Sequence, residues 1–148
     1  MKQITQTKMY RPKGHPEGQQ YGNCQRAAMA SIFDMDIEDL PHFEEVRGAG
    51  DFWHGIYDWL ESWGFGYEWH DPEAPPTGYS IATGPAARGV SHAVVALDGK
   101  IVWDPHPSRD GLVSIENFMT FPLLTASERA QADVRQHIRD TKASRRSA

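Results

Sequence analysis

The sequence predicts an α+β fold, and three observations carry that reading. Residues 24–33 and 52–63 hold apolar side chains at helical spacing. From residue 65 to residue 121 the apolar period falls to two, the signature of strands. Between two of those runs lies Asp98-Gly99, a strong hairpin signal. Helices first and strands afterwards describe a mainly antiparallel sheet packed on helices.

The 148 residues suit one domain, read as a body over 1–124 and a polar C-terminal helix with a basic tail over 125–148. A net charge of −5 argues against a general nucleic-acid binder. The single cysteine excludes an internal disulfide and suits a reducing compartment. Met1 to Arg11 is polar and has no secretory apolar core, and no apolar run approaches the ~20 residues that span a bilayer. The expectation is a cytoplasmic protein with no membrane partner.

The elements follow in order. Ile4 to Tyr10 alternates weakly and predicts a short edge strand. Arg11 to Gln20, with two Pro and two Gly, is a loop. Asn23 is a good N-cap for a helix from Cys24 to about Phe33, with Ala27, Ala28, Met29 and Ile32 turned inward. Asp36 to Leu40 reads as one helical turn stopped by Pro41. Asp51 caps a second helix over Phe52–Trp63, whose apolar stripe is Trp53, Ile56, Tyr57, Leu60 and Trp63, with Gly64 as its stop. Strands are expected over 65–70, 79–84, 91–97 and 100–104, and a strand with or without a short helix over 113–121. A polar helix starts at Thr125 and frays toward Arg145-Arg146.

Cys24 is the chemical focus. A sulfur at the first turn of a helix meets unpaired N–H groups and the positive end of the dipole, which favour thiolate. The bland alternative is a small buried hydrophobe.

A partner for Cys24 comes from the hairpin. His92 opens one strand and Asp104 closes the next. A two-residue Asp98-Gly99 turn pairs Leu97 with Lys100 and sends Asp104 to the face away from His92. A three-residue loop, Leu97-Asp98-Gly99, pairs His92 directly with Asp104, with Cβ atoms about 5 Å apart. The three-residue loop is the expectation. It lets the carboxylate fix the imidazole tautomer and stabilise imidazolium.

The ordered set Cys24, His92-Ala93-Val94-Val95 and Asp104-Pro105 resembles papain-like cysteine peptidases, and among them the double-glycine leader peptidases of bacteriocin exporters. Arg88-Gly89, His92 and Asp104-Pro105-His106-Pro107-Ser108 are also similar to a pattern in small uncharacterised phage and bacterial proteins. Gly22-Asn23-Cys24 is similar to the Gly-Asn-Cys of ovarian-tumour-type deubiquitinases. The resemblance covers about 20–34 and 79–111. It implies a papain-like fold and a Cys24–His92–Asp104 triad. It also implies a glutamine shortly before the cysteine that helps to form the oxyanion hole. Gln19 and Gln20 are the candidates, one or two residues nearer Cys24 than that pattern has it; Asn23 or backbone N–H groups are the alternatives.

The expected activity is a thiol hydrolase acting on a peptide, isopeptide or small amide through an acyl-thioester, without a cofactor, in the host cytoplasm if the source is a phage. Arg88, Arg109 and His106 are the candidate substrate contacts, the arginines for a carboxylate. Two other classes use the same residues. His92, Asp104 and His106 can be read as metal ligands, and the whole as a papain-like binding protein without turnover.

Overall fold

Helix α1, Cys24–Ile32, is the axis of the molecule. The computed structural model describes residues 1–45 and 51–147. Every residue of α1 from Gln25 to Ser31 is buried, so the helix has no solvent face. Ala27, Ala28 and Ala30 allow neighbours to approach from all sides. Arg26 is tolerated there because its guanidinium is spoken for. Nε donates to the Leu40 carbonyl at 3.0 Å, Nη1 to His42 Nδ1 at 2.9 Å and Nη2 to Glu38 at 3.5 Å.

Two 3-10 turns follow, Ile37–Asp39 and Phe43–Glu45. The first is the expected turn before Pro41, closed by Asp39 accepting the Asp36 N–H at 3.1 Å. The second carries the buried Glu44 to α1. Helix α2, Asp51–Ser62, includes Asp51 instead of starting after it. Its stripe is narrower than the sequence suggests: Ile56 and Leu60 are fully buried, Trp53 and Tyr57 half-buried, and Trp63 lies in solvent beyond the helix end. Gly64, with φ of +85°, makes the stop.

Five antiparallel strands form one sheet: β1 (Glu68–His70), β2 (Tyr79–Pro85), β3 (Ser91–Leu97), β4 (Lys100–Trp103) and β5 (Asn117–Thr120), in the order β1-β5-β2-β3-β4. One face, with Ile81, Ala93, Val95 and Met119, packs on α1 and α2. The other, with Ala82, Val94, Ala96 and Phe118, is covered by Leu112 and Ile115 of the segment between β4 and β5. That segment passes so close that a Cβ on Gly84 would fall on the Ser114 carbonyl oxygen.

The strand expected over 4–10 does not form. Its backbone is held by three separate elements instead of one neighbouring strand. Ile4 N–H donates to Ser31 Oγ at 3.2 Å, Gln6 N–H to the Pro105 carbonyl at 2.9 Å, and Thr7 and Lys8 N–H to Asn23 Oδ1 at 3.1 and 3.0 Å.

The hairpin turn also differs from expectation. Leu97 pairs with Lys100 around a two-residue Asp98-Gly99 turn, with φ of +52° and +82°. The register then shifts: Ala96 pairs with Ile101, but Val95 pairs with Trp103, so Val102 is a bulge. The bulge restores the parity that the turn removes. It puts Trp103 on the α1 face, against the first core cluster, and Asp104 on the face of Val94 and His92.

Helix α3, Ala126–Ser147, extends to its basic end; residue 148 lies outside the described residues. It starts with a capping box, Glu128 N–H to Thr125 Oγ1 at 3.1 Å and Thr125 N–H to Glu128 Oε1 at 3.0 Å. Arg135 and Arg139 lie against Glu61 and Asp58 of α2. Among the described residues, no helix is long and apolar enough to cross a membrane.

Candidate active site

Cys24 is the first residue of α1, as its flanking residues predict. The cap is different. Asn23 makes no side-chain bond to the helix; its oxygen accepts Thr7 and Lys8 N–H, and its Nδ2 donates to Thr7 Oγ1 at 2.8 Å. Buried and held by three hydrogen bonds, Asn23 clamps the N-terminal segment and does not line the cavity that Cys24 lines. The helix start is served by Glu44, whose carboxylate accepts the Arg26 N–H at 2.9 Å.

The helix start does not hold the free sulfur as the expected thiolate. Burial first, and the Glu44 charge second, push the Cys24 thiol up to about 11. Backbone N–H groups of Ala93, Gln25 and Cys24 itself pull the other way and lose. At neutral pH the resting sulfur is therefore a thiol. It lies by the N–H of Ala93, the residue after His92. Among the described residues no hydrogen bond joins it to the imidazole.

His92 and Asp104 meet as the sequence predicts, though by a different register. His92 Nε2 donates to Asp104 Oδ1 at 2.6 Å, with both residues buried. Asp104 Oδ1 also accepts the His106 N–H at 2.8 Å, and Oδ2 accepts the Gly111 N–H at 2.7 Å. Burial alone would raise the Asp104 carboxyl; these hydrogen bonds and the His92 imidazole outweigh it and hold it below the usual range. With Nε2 given to Asp104, His92 Nδ1 is the nitrogen left for chemistry.

A cavity of about 890 Å³ joins these parts. Its walls include Cys24, His92, Gln6, Arg88 and His106. Gln19 and Gln20 lie outside it. Gln19 is exposed, and Gln20 is committed to a backbone bridge with Arg11 and to the Met9 carbonyl. Arg109 is also outside: it donates to the carbonyls of Asp104 and His106 and to Thr5 Oγ1, and its guanidinium lies 4.1 Å from the Trp103 ring centroid. It staples the Asp104 loop and does not line the cavity.

Two residues at the cavity were not singled out from the sequence. Gln6 is buried, donates Nε2 to the Lys8 carbonyl at 2.9 Å, and among the described residues leaves Oε1 without a hydrogen-bond partner. It stands eighteen positions before Cys24 (24 minus 6), far from the gap at which the resemblance looks for a glutamine. Glu44 stands between Phe43 and Glu45, with no motif around it. Neither has a local signal, because both reach the cavity through tertiary packing. Among the described residues, no group of three or more His, Cys, Asp or Glu is arranged to hold a metal ion.

A buried, oriented imidazole–carboxylate pair on one wall and a thiol on another are the parts of a nucleophile–base–orienter set. In comparisons with family models, curated proteins and solved structures, nothing matches this chain.

Proposed function

We propose that this protein is a cysteine-dependent amide hydrolase with a papain-like arrangement, acting on a peptide, isopeptide or small amide. The observation that supports it is the 2.6 Å bond from buried His92 to buried Asp104, in the wall of the cavity that Cys24 lines. In the reaction His92 Nδ1 takes the Cys24 proton as the sulfur attacks the acyl carbon. The carbonyl oxygen takes up the displaced electron pair and faces the Cys24 N–H and the second N–H of Gln6 Nε2, the first being donated to the Lys8 carbonyl. Collapse breaks the C–N bond, and imidazolium returns its proton to the leaving amine. Water, deprotonated by His92, then releases the acid and regenerates the thiol.

The raised Cys24 thiol supports a second reading, a papain-like binding protein without turnover. Intact-mass labelling at about pH 8, near the ordinary thiol pKa, with peptide, small-amide and ubiquitin-like electrophile probes separates the two. Hydrolase function requires a Cys24-dependent adduct with at least one probe, slowed in His92→Ala. Labelling that appears only after unfolding, or that His92→Ala leaves at the wild-type rate, sinks the hydrolase reading.

A further inference from the structure

The cavity is polarised along the sheet. At one end stand aromatic rings: Trp53 from α2 lies 4.9 Å from Phe52 and 5.2 Å from Trp69 of β1, ring centre to ring centre. At the other end, over β3, stand His92, His106 and Arg88. The strand order β1-β5-β2-β3-β4 keeps these two ends apart, with Thr83 of β2 and Asn117 of β5 between them.

Arg88 projects from the tight turn joining β2 to β3, whose ends are tied by the Ala86 N–H to the Val90 carbonyl at 2.8 Å. Among the described residues its guanidinium has no hydrogen bond and no acidic partner, unlike Arg109 and Arg26. His106 is oriented beside it. Its Nδ1 accepts from the Ser108 N–H at 3.0 Å and lies 2.9 Å from the Ser108 hydroxyl, which keeps the ring proton on Nε2. Its ring lies 6.1 Å from that of His92. Burial first, then the Arg88 charge, hold the His106 imidazole below its ordinary value, so at neutral pH it is an uncharged donor next to a cation. A fork of guanidinium N–H groups with an imidazole N–H beside it matches a carboxylate. Among the described residues the cavity's own carboxylates make no ion pair with Arg88: Glu44 accepts the Arg26 N–H, and Glu116, exposed like Arg88, stands just before β5.

The side on which the carboxylate lies follows from the chemistry. His92 delivers a proton to the leaving amine, so the leaving group departs at the His92 end. We infer that the substrate is an amide with a bulky apolar or aromatic acyl part, seated on Phe52, Trp53 and Trp69, whose leaving amine carries a carboxylate received by Arg88 and His106. N-acyl amino acids and peptides cut at their C-terminal residue are the class. This inference rests on the hydrolase reading for its direction, but the anion site can be tested without turnover.

N-benzoylglycine is the simplest member of that class, and its primary amide is the uncharged control. Calorimetric titration of Cys24→Ser protein, checked for native circular dichroism, should give at least about tenfold tighter binding of the acid than of the amide, since the acid adds a charge-assisted contact. Adding Arg88→Gln should bring the two within about twofold. The ratio of KM for the two compounds in wild-type protein gives the same comparison without the serine variant. Equal binding of acid and amide, no binding of either at millimolar concentration, or a preference that survives Arg88→Gln overturns the inference. Arg88-dependent binding of the acid without its hydrolysis by wild type keeps the anion site and removes the hydrolase. Hydrolysis of both compounds with equal KM does the reverse.

Discussion

The hydrogen bond from His92 Nε2 to Asp104 Oδ1 is one of three that the Asp104 carboxylate accepts, the others coming from the backbone of its own loop. The carboxylate therefore shapes the loop and orients the imidazole at once, and any change at Asp104 acts on both.

Asp104→Asn separates the two roles through pH. The amide sets N–H against N–H at one of the three donors, so unfolding stability should fall by about 1–3 kcal/mol at pH 7. Turnover of the cognate amide should fall by about 10²–10⁴-fold, the usual worth of general base chemistry. The wild-type carboxyl is held low in the folded state, so its stabilisation is complete above the unfolded value, near 3.9, and is lost as pH falls through the lower folded value. Chemical denaturation from about pH 7 to pH 2 should therefore show the wild-type advantage over Asn shrinking only at the acidic end.

Cys24 should behave as a slow thiol until substrate binds. With the sulfur at about 11, iodoacetamide alkylation of free protein should rise roughly tenfold per pH unit between about 7 and 10, with little reaction near pH 6. Glu44→Gln keeps an oxygen for the Arg26 N–H and removes the second cause of the shift, so alkylation at a given pH should quicken severalfold. Burial, the first cause, stays. A rate plateau below pH 8 in wild-type protein contradicts the raised thiol.

Gln6→Ala tests the oxyanion role apart from the nucleophile. Loss of one oxyanion donor costs about 10²–10³-fold in turnover. Alkylation forms no oxyanion, so its rate in the same variant should stay within about twofold of wild type. A parallel loss in both assays would mean that Gln6 only supports the fold.

Arg26→Met tests the centre of the molecule. The methionine fills similar space but leaves the buried Leu40 carbonyl without its donor. The cost should be about 2–4 kcal/mol, read as a fall in Tm of roughly 5–15 °C for a chain of this size.

The parts of the fold that were legible are those set by neighbours in the chain. Cys24 begins α1, Gly64 ends α2 and Thr125-x-x-Glu128 starts α3 because each is decided within one turn of backbone. The Cys, His and Asp of the candidate site were legible for another reason: Cys24 is the single cysteine, and the order in which His92 and Asp104-Pro105 follow it is specific. What escaped depends on distant partners. Asn23 has the chemistry of a cap, but Thr7 and Lys8 offer it three bonds against one. The bulge at Val102 has no local marker; it exists because Trp103 belongs on the α1 face, where its Nε1 donates to the Ile4 carbonyl at 2.8 Å. Reading the turn alone led to a three-residue loop, since that was the single local route to a His92–Asp104 pair.

The N-terminal segment has a consequence for the order in which this molecule matures. Ile4, Thr5 and Gln6 find their partners at Trp103, Arg109 and Pro105, about a hundred residues later. At ribosomal speeds of about 5–20 residues per second, residues 4–6 wait roughly 5–20 s before these three partners have been made. Such long-range closure is the slow part of folding. Helix α1 can form early, but the wall that holds Gln6, His92 and Asp104 around Cys24 assembles only when β4 and its loop have emerged. Until β4 and its loop have emerged, the nascent chain thus carries a cysteine without the wall that surrounds it in the folded molecule.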